Sequence, residues 1–275
     1  VYANNVIFSG TGNRTLRSDR NIQVSGNVTI NGATLVFNGK NLTLLGNLNI
    51  NGGHSTGTGS LVLAGSLEQK IASTETITMT GIEIDNQNGV VANCDVKLSK
   101  LKLINGVLKL GDNNIIITSS AITAIEGGSS SSYVDGKMTR KMSSGSEYKF
   151  PVGDASRYGE AGVLPSASGD WTVEYLNSQP TDYDNRDSKV TALGMEYWRV
   201  QGPESLSARV RVRWDSRSGT FTTTSKMATY EDKWKIIECN SPVGQTMLAV
   251  SAVTNIGGEP RLYTVATASV VSSYT

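Results

Sequence analysis

The amino-acid sequence predicts an all-β chain in two parts: a β-solenoid over residues 1–128, then an antiparallel β-sandwich over residues 129–275. Three observations carry this. Short apolar strands closed by Asn-Gly or another Gly turn recur through the first 125 residues. Gly26-Asn-Val-Thr-Ile-Asn-Gly32 returns 20 positions later as Gly46-Asn-Leu-Asn-Ile-Asn-Gly52, and a looser echo of Ile7–Ile30 returns about 55 positions on, from Val62. Beyond residue 127 the vocabulary changes: all six prolines and all four tryptophans lie there, and every Asn-Gly pair lies before it.

In the first part, apolar residues alternate with Asn, Thr, Ser and Lys at a period of two: Val28 and Ile30, Leu42 and Leu44, Leu48 and Ile50, Leu101 and Leu103, Ile115 and Ile117. Such alternation marks strands with one dry and one wet face. Asn-Gly, at Asn31, Asn38, Asn51, Asn88 and Asn105, would by itself suggest hairpins in an antiparallel meander. Recurrence at fixed spacing favours stacked coils instead, with Gly and Asn at corners that need positive φ. A coil of about 20 residues gives about six rungs. Gly127-Gly128 with Ser129 to Ser132 reads as the flexible seam. Tyr133 to Arg140 either continues the last rung or begins the second domain.

The second part reads as eight or nine short strands between Gly, Pro, Asp and Ser loops, among them Trp171–Tyr175, Glu196–Val200, Ala208–Trp214, Lys233–Ile237 and Thr246–Ala252. Its longest loop candidate runs from Asn177 to Ser188.

Composition excludes several classes. With 25 basic and 24 acidic side chains, the chain has no bulk field to draw it to nucleic acid. Its longest apolar runs are far too short for membrane insertion. It begins on Val1 without a leader, and is expected to be a processed chain or a segment of something longer. Cys94 and Cys239 fall in different domains and read as two small, half-buried hydrophobes rather than a bridge.

Candidate sites are few. Arg209, Arg211 and Arg213 alternate with Val210, Val212 and Trp214. That strand has a basic face suited to acidic glycans, because guanidinium binds carboxylate bidentately; the plainer reading balances it with acids on the next strand. Asp182, Asp184 and Asp187 form the densest run of oxygen ligands and the candidate calcium site. No other cofactor is expected. The single histidine, His54, sits in a flexible Gly-rich loop and reads as solvated. Glu83 and Asp85 share a strand face, as paired acids of a polysaccharide-degrading enzyme would, but also as any wet face does. Trp171, Trp198, Trp214 and Trp234 lie in alternating strands, so most belong to the core.

Several phrases, in order, carry a resemblance: Gly59-Ser-Leu-Val-Leu-Ala-Gly65 with Glu68-Gln69-Lys70-Ile71, Leu101 to Gly111, Asn114 to Thr118, Ser132 to Gly136, Phe150-Pro151-Val152-Gly153, Glu196 to Val200 and Val212 to Asp215. Together they resemble the repetitive surface proteins of Bacteroidota, including gliding adhesins and other cargo of the type IX secretion system. The resemblance implies a secreted, non-catalytic structural segment of an adhesin or stalk at the bacterial cell surface. Its partners would be the remainder of the same protein and surface or environmental glycans. The alternative is a glycan-binding module using the Arg strand, and less favoured is a β-helix polysaccharide-degrading enzyme. No catalytic residue is carried over.

Overall fold

The computed structural model describes residues 2–17, 19–154, 157–219, 221–222, 224–240, 246–248, 253–254 and 259–269. The chain forms two compact units, Val1–Lys141 and Met142–Thr275.

The first unit is a β-solenoid of about seven turns, in which three parallel ladders run along the coil. One ladder contains Ile22–Val24, Leu42–Leu44, Leu61–Leu63 and the second halves of Ile77–Asp85 and Val96–Asn105, and it ends on Ile125–Gly127. The second passes through Val6, Val28, Leu48, Ile71 and Ala92, and then from Val90 through Leu108 to Val134. The third joins Leu35 to Ser55, Thr78 to His54, and Ile77 through Val96 and Ile115 to Met138. Parallel pairing at this spacing rules out the hairpin meander, since hairpins are antiparallel.

The short repeat and the long one behave differently. The shift of 20 residues sets Val28 on Leu48 and Ile30 on Ile50, one turn above in the same ladder. The echo at 55 positions carries Ile7 of the second ladder onto Val62 of the first. It is a likeness between different sides of the coil, because every side needs the same apolar-polar-apolar strand.

The dry side of each ladder is aliphatic. Val24, Leu44, Leu63 and Ile84 stack in one file, and Leu42, Leu61, Ile82 and Leu101 in the file beside it, all essentially inaccessible to water. Each such side chain stabilises by about 1.5–3 kcal/mol on burial. Corners need tight backbone instead. The glycine of every Asn-Gly pair has positive φ: Gly32, Gly39, Gly52, Gly89 and Gly106.

The boundary between the units lies beyond the Gly-Ser seam at residues 127–132. Ser129 and Ser132 form an antiparallel bridge, and the buried Ser132 hydroxyl donates to the Gly106 carbonyl at 3.0 Å. The strand Val134–Met142 then pairs in parallel with Leu108–Ile117 as the last turn. Tyr133 to Arg140 therefore continues the solenoid, which runs on to Lys141 and completes the turn that a boundary at 128 would cut.

The second unit contains two antiparallel sheets. The larger orders Gly169–Leu176, Tyr197–Gln201, Arg261–Ala268, Lys226–Tyr230 and Trp234–Ile237, with Val190–Leu193 also against Arg261–Ala268. The smaller orders Tyr148–Phe150, Ala161–Pro165, Ser207–Arg213 and Thr246–Leu248. Of the strand expected over Thr246–Ala252, residues 249–252 lie outside the described residues. Buried aromatics anchor the larger sheet, with Tyr175 and Trp198 at 5.2 Å between ring centres.

Candidate binding surfaces

The Arg strand has the expected alternation: Val210 and Val212 are fully buried, while Arg209 and Arg213 are exposed. Its three cations do not act together. Arg211 is clamped by Glu147 at 2.6 Å and Glu160 at 3.3 Å. Burial would discourage its charge, but those two carboxylates hold it firmly cationic. Glu160 is itself half-buried, yet Tyr158, Lys149 and Arg211 outweigh that burial and hold its carboxyl below the usual range. Arg213 lies 5.7 Å from the Tyr158 ring centre. Arg209 lines a separate shallow groove with Leu164, Pro165, Ser166 and Ser207. The strand thus has a balanced face of the plainer kind, with one outlying guanidinium.

Asp182, Asp184 and Asp187 do not converge on a common point. Asp182 accepts a hydrogen bond from the Tyr230 hydroxyl, and Asp187 pairs with Lys233 at 3.3 Å. Asp184 projects into solvent with Arg186 3.8 Å away. Among the described residues no group of three or more His, Cys, Asp or Glu side chains is placed to hold a metal ion. The physical reason is the loop's other task. Residues 181–187 are laid across one face of the larger sheet. Trp234 donates its indole N–H to the Thr181 carbonyl at 2.9 Å, and backbone bonds join Asp187 to Trp234 and Trp234 to Asn185. Beneath them Trp234, Val190, Leu193, Ala228 and Ala266 form a small core of their own. The acids pin this cover down.

His54 opens the strand His54–Thr56 and does not belong to a loop; its Nε2 lies 3.1 Å from the Thr34 hydroxyl in the neighbouring turn. The glycines around it supplied corners, which is why the segment resembled a loop. Glu83 and Asp85 do share a face. Each is held by the following turn, Glu83 by Lys102 at 3.2 Å and Asp85 by the Asn105 amide at 2.6 Å. Trp171, Trp198 and Trp234 are core residues; Trp214 is half-buried and stands edge-on to Phe221. Cys94 and Cys239 are free thiols, Cys94 buried and Cys239 half-buried, and burial pushes the Cys94 thiol up.

Two constellations escaped the sequence. The first is a buried polar network. Arg157 binds Glu196 at 2.8 Å and Asp215 at 3.1 Å, the Ser218 hydroxyl accepts from Arg157 at 2.9 Å, and the Tyr175 hydroxyl donates to Glu196. Burial pushes the Glu196 carboxyl up, while Ser218, Tyr175 and Arg157 oppose it. With the Arg157 and Glu196 side chains 7% and 2% exposed, the network has no access for a substrate and reads as internal structure. The second is a surface pocket of about 520 Å³ beside the pinned loop, lined by Arg199, Tyr230, Glu231, Glu259, Pro260, Arg261 and Leu262. Its residues come from three separate stretches of chain, so no motif announces it.

No helix among the described residues is long and apolar enough to cross a membrane. Compared with family models, curated proteins and solved structures, the chain finds no match in any of the three.

Proposed function

We propose that this chain is a non-catalytic segment of an extracellular bacterial surface adhesin or stalk, of the kind Bacteroidota export by type IX secretion. It acts as a rigid spacer and adhesion surface, joined to the remainder of the same protein. The observation that supports the reading most is the coil of about seven turns with three continuous hydrogen-bonded ladders around dry aliphatic files. Every turn rests on its neighbours, so load applied at one end is shared down the axis, and bending would open packed files. Several charged groups on its surface pair between turns, as in Lys102 with Glu83 and Lys109 with Glu68. In the same reading the second unit is a β-sandwich. Phe150, Val163, Val210 and Val212 give the smaller sheet a buried face, and Trp171, Val173, Tyr175 and Val200 do so for the larger.

Pulling a single molecule from its termini tests the spacer. A coil of about 20 residues releases at most about 70 Å when extended. A stiff solenoid gives a ladder of steps of that size, one turn at a time. Smooth extension at low force with no such steps overturns the spacer reading.

A further inference from the structure

We infer that the pocket beside Tyr230 is a binding site for a neutral, hexose-based oligosaccharide. This goes beyond the spacer reading and does not depend on the coil being stiff.

The pocket is built on one transverse row of the larger sheet. Glu174 faces Arg199, Arg199 faces Leu262, and Leu262 faces Tyr230. Directly opposed residues in an antiparallel sheet share a face, with Cβ atoms about 4.5–5.5 Å apart. The row continues to Trp234, which the pinned loop covers completely. Tyr230 therefore stands where the covered part of the sheet meets the open part. Its hydroxyl is held by Asp182 and its ring lies edge-on to Trp234, 5.4 Å between centres. An aromatic ring fixed on a strand in this way is preorganised and loses little freedom on binding.

The chemistry around that ring selects the ligand class. Tyr230, Leu262 and Pro260 supply apolar surface suited to the C–H face of a pyranose. Arg199 and Arg261 supply donors, Glu231 and Glu259 supply acceptors, and the two signs balance. Arg261 is held to Glu231 at 2.7 Å and Arg199 to Glu174 at 3.2 Å, which fixes their forks in place. A sugar hydroxyl donates and accepts at once, so it can bridge an adjacent Arg and Glu without importing charge. An acidic ligand would meet Glu231 and Glu259, and a basic one would meet both arginines. The volume of about 520 Å³ falls in the ordinary range of small-ligand sites. The Arg209 groove lacks an aromatic side chain and has no carboxylate to accept from a hydroxyl.

The test is titration of the full chain with cellotetraose, mannotetraose, maltotetraose and laminaritetraose, with tetragalacturonate as the acidic comparison, followed by calorimetry or ligand-observed NMR. At least one neutral tetrasaccharide is expected to bind with a dissociation constant at or below about 1 mM. Tyr230→Ala is expected to weaken it about tenfold or more, the loss of an aromatic platform. Glu259→Ala guards against a folding artefact, because that side chain is exposed and its removal should leave the melting temperature unchanged. It is expected to weaken binding severalfold. The proposal is overturned if none of the neutral sugars binds, if only tetragalacturonate binds, or if a neutral sugar binds equally well to both variants.

Discussion

The two units satisfy their polar groups in opposite ways. In the solenoid the solution is short-range and repeated. Asn5, Asn27 and Asn47 occupy one corner in successive turns, and each side-chain oxygen accepts a backbone N–H from the turn that follows: Asn27 N–H to Asn5 at 2.7 Å, Asn47 N–H to Asn27 at 2.8 Å, Lys70 N–H to Asn47 at 2.8 Å. Asn21 and Asn41 do the same at another corner. In the second unit the solution is singular. Arg157 gathers Glu196 and Asp215 from 39 and 58 residues away into one buried cluster. A ladder spreads its cost over many small bonds, any one of which is dispensable. A buried ion network concentrates it in one place, where removing a single member strands the others.

That contrast can be broken at its most loaded point. Arg157→Ala leaves Glu196 and Asp215 without the partner that gathers them, and is expected to cost about 3–5 kcal/mol. Hydrogen exchange followed by peptide should show the loss in the strands Gly169–Leu176 and Tyr197–Gln201. A cost below about 1 kcal/mol would mean that the network is no more critical than a surface pair.

Acid sharpens the comparison next. Asp215 is held below the usual carboxylate range, chiefly by the Arg217 guanidinium, and Glu160 lies low as well because its Tyr158, Lys149 and Arg211 contacts outweigh burial. A depressed carboxyl contributes stability above its unfolded pKa and loses it as pH falls through the folded value. Glu196, pushed up by burial, works in the opposite sense: its contribution is full at low pH and is lost as pH rises through its folded value. The strands of the second unit should therefore lose exchange protection below the ordinary carboxylate range, and Asp215→Asn should flatten that acid limb. An unchanged limb in the variant would remove Asp215 from the account.

The smallest effect belongs to the ladder. Asn27→Ala removes one acceptor from the Asn47 N–H at a solvent-exposed corner. It is expected to cost about 1 kcal/mol, close to the net worth of one hydrogen bond. Chemical denaturation would measure it, and a cost comparable to that of Arg157→Ala would show that the corner file acts as one cooperative unit.

How far the sequence could be read follows the same division. Val28 with Ile30, Leu48 with Ile50, and the five Asn-Gly corners were legible because each obeys a rule that acts within a few residues and recurs one turn later. The alternation of Arg209, Arg211 and Arg213 was legible for the same reason. Their pairing was not, since Glu147 reaches Arg211 from 64 residues away. The carboxylates of Asp182, Asp184 and Asp187 looked like ligands because spacing alone cannot show that Tyr230 and Lys233 already engage two of them. Tyr230, Arg199 and Leu262 gave no warning at all, because three strands distant in sequence bring them into one row.

By itself the sequence determined the all-β class and the coiled first unit with its apolar lining, since period-two alternation and positive-φ corners are local consequences of side-chain size and backbone sterics. Tertiary structure alone decided that Val134–Met142 closes the coil, that residues 181–187 cover Trp234, and that Arg157 meets Glu196. Each of those depends on which distant backbone satisfies a hydrogen bond or a charge. Many partners are chemically equivalent on paper, and only packing selects one.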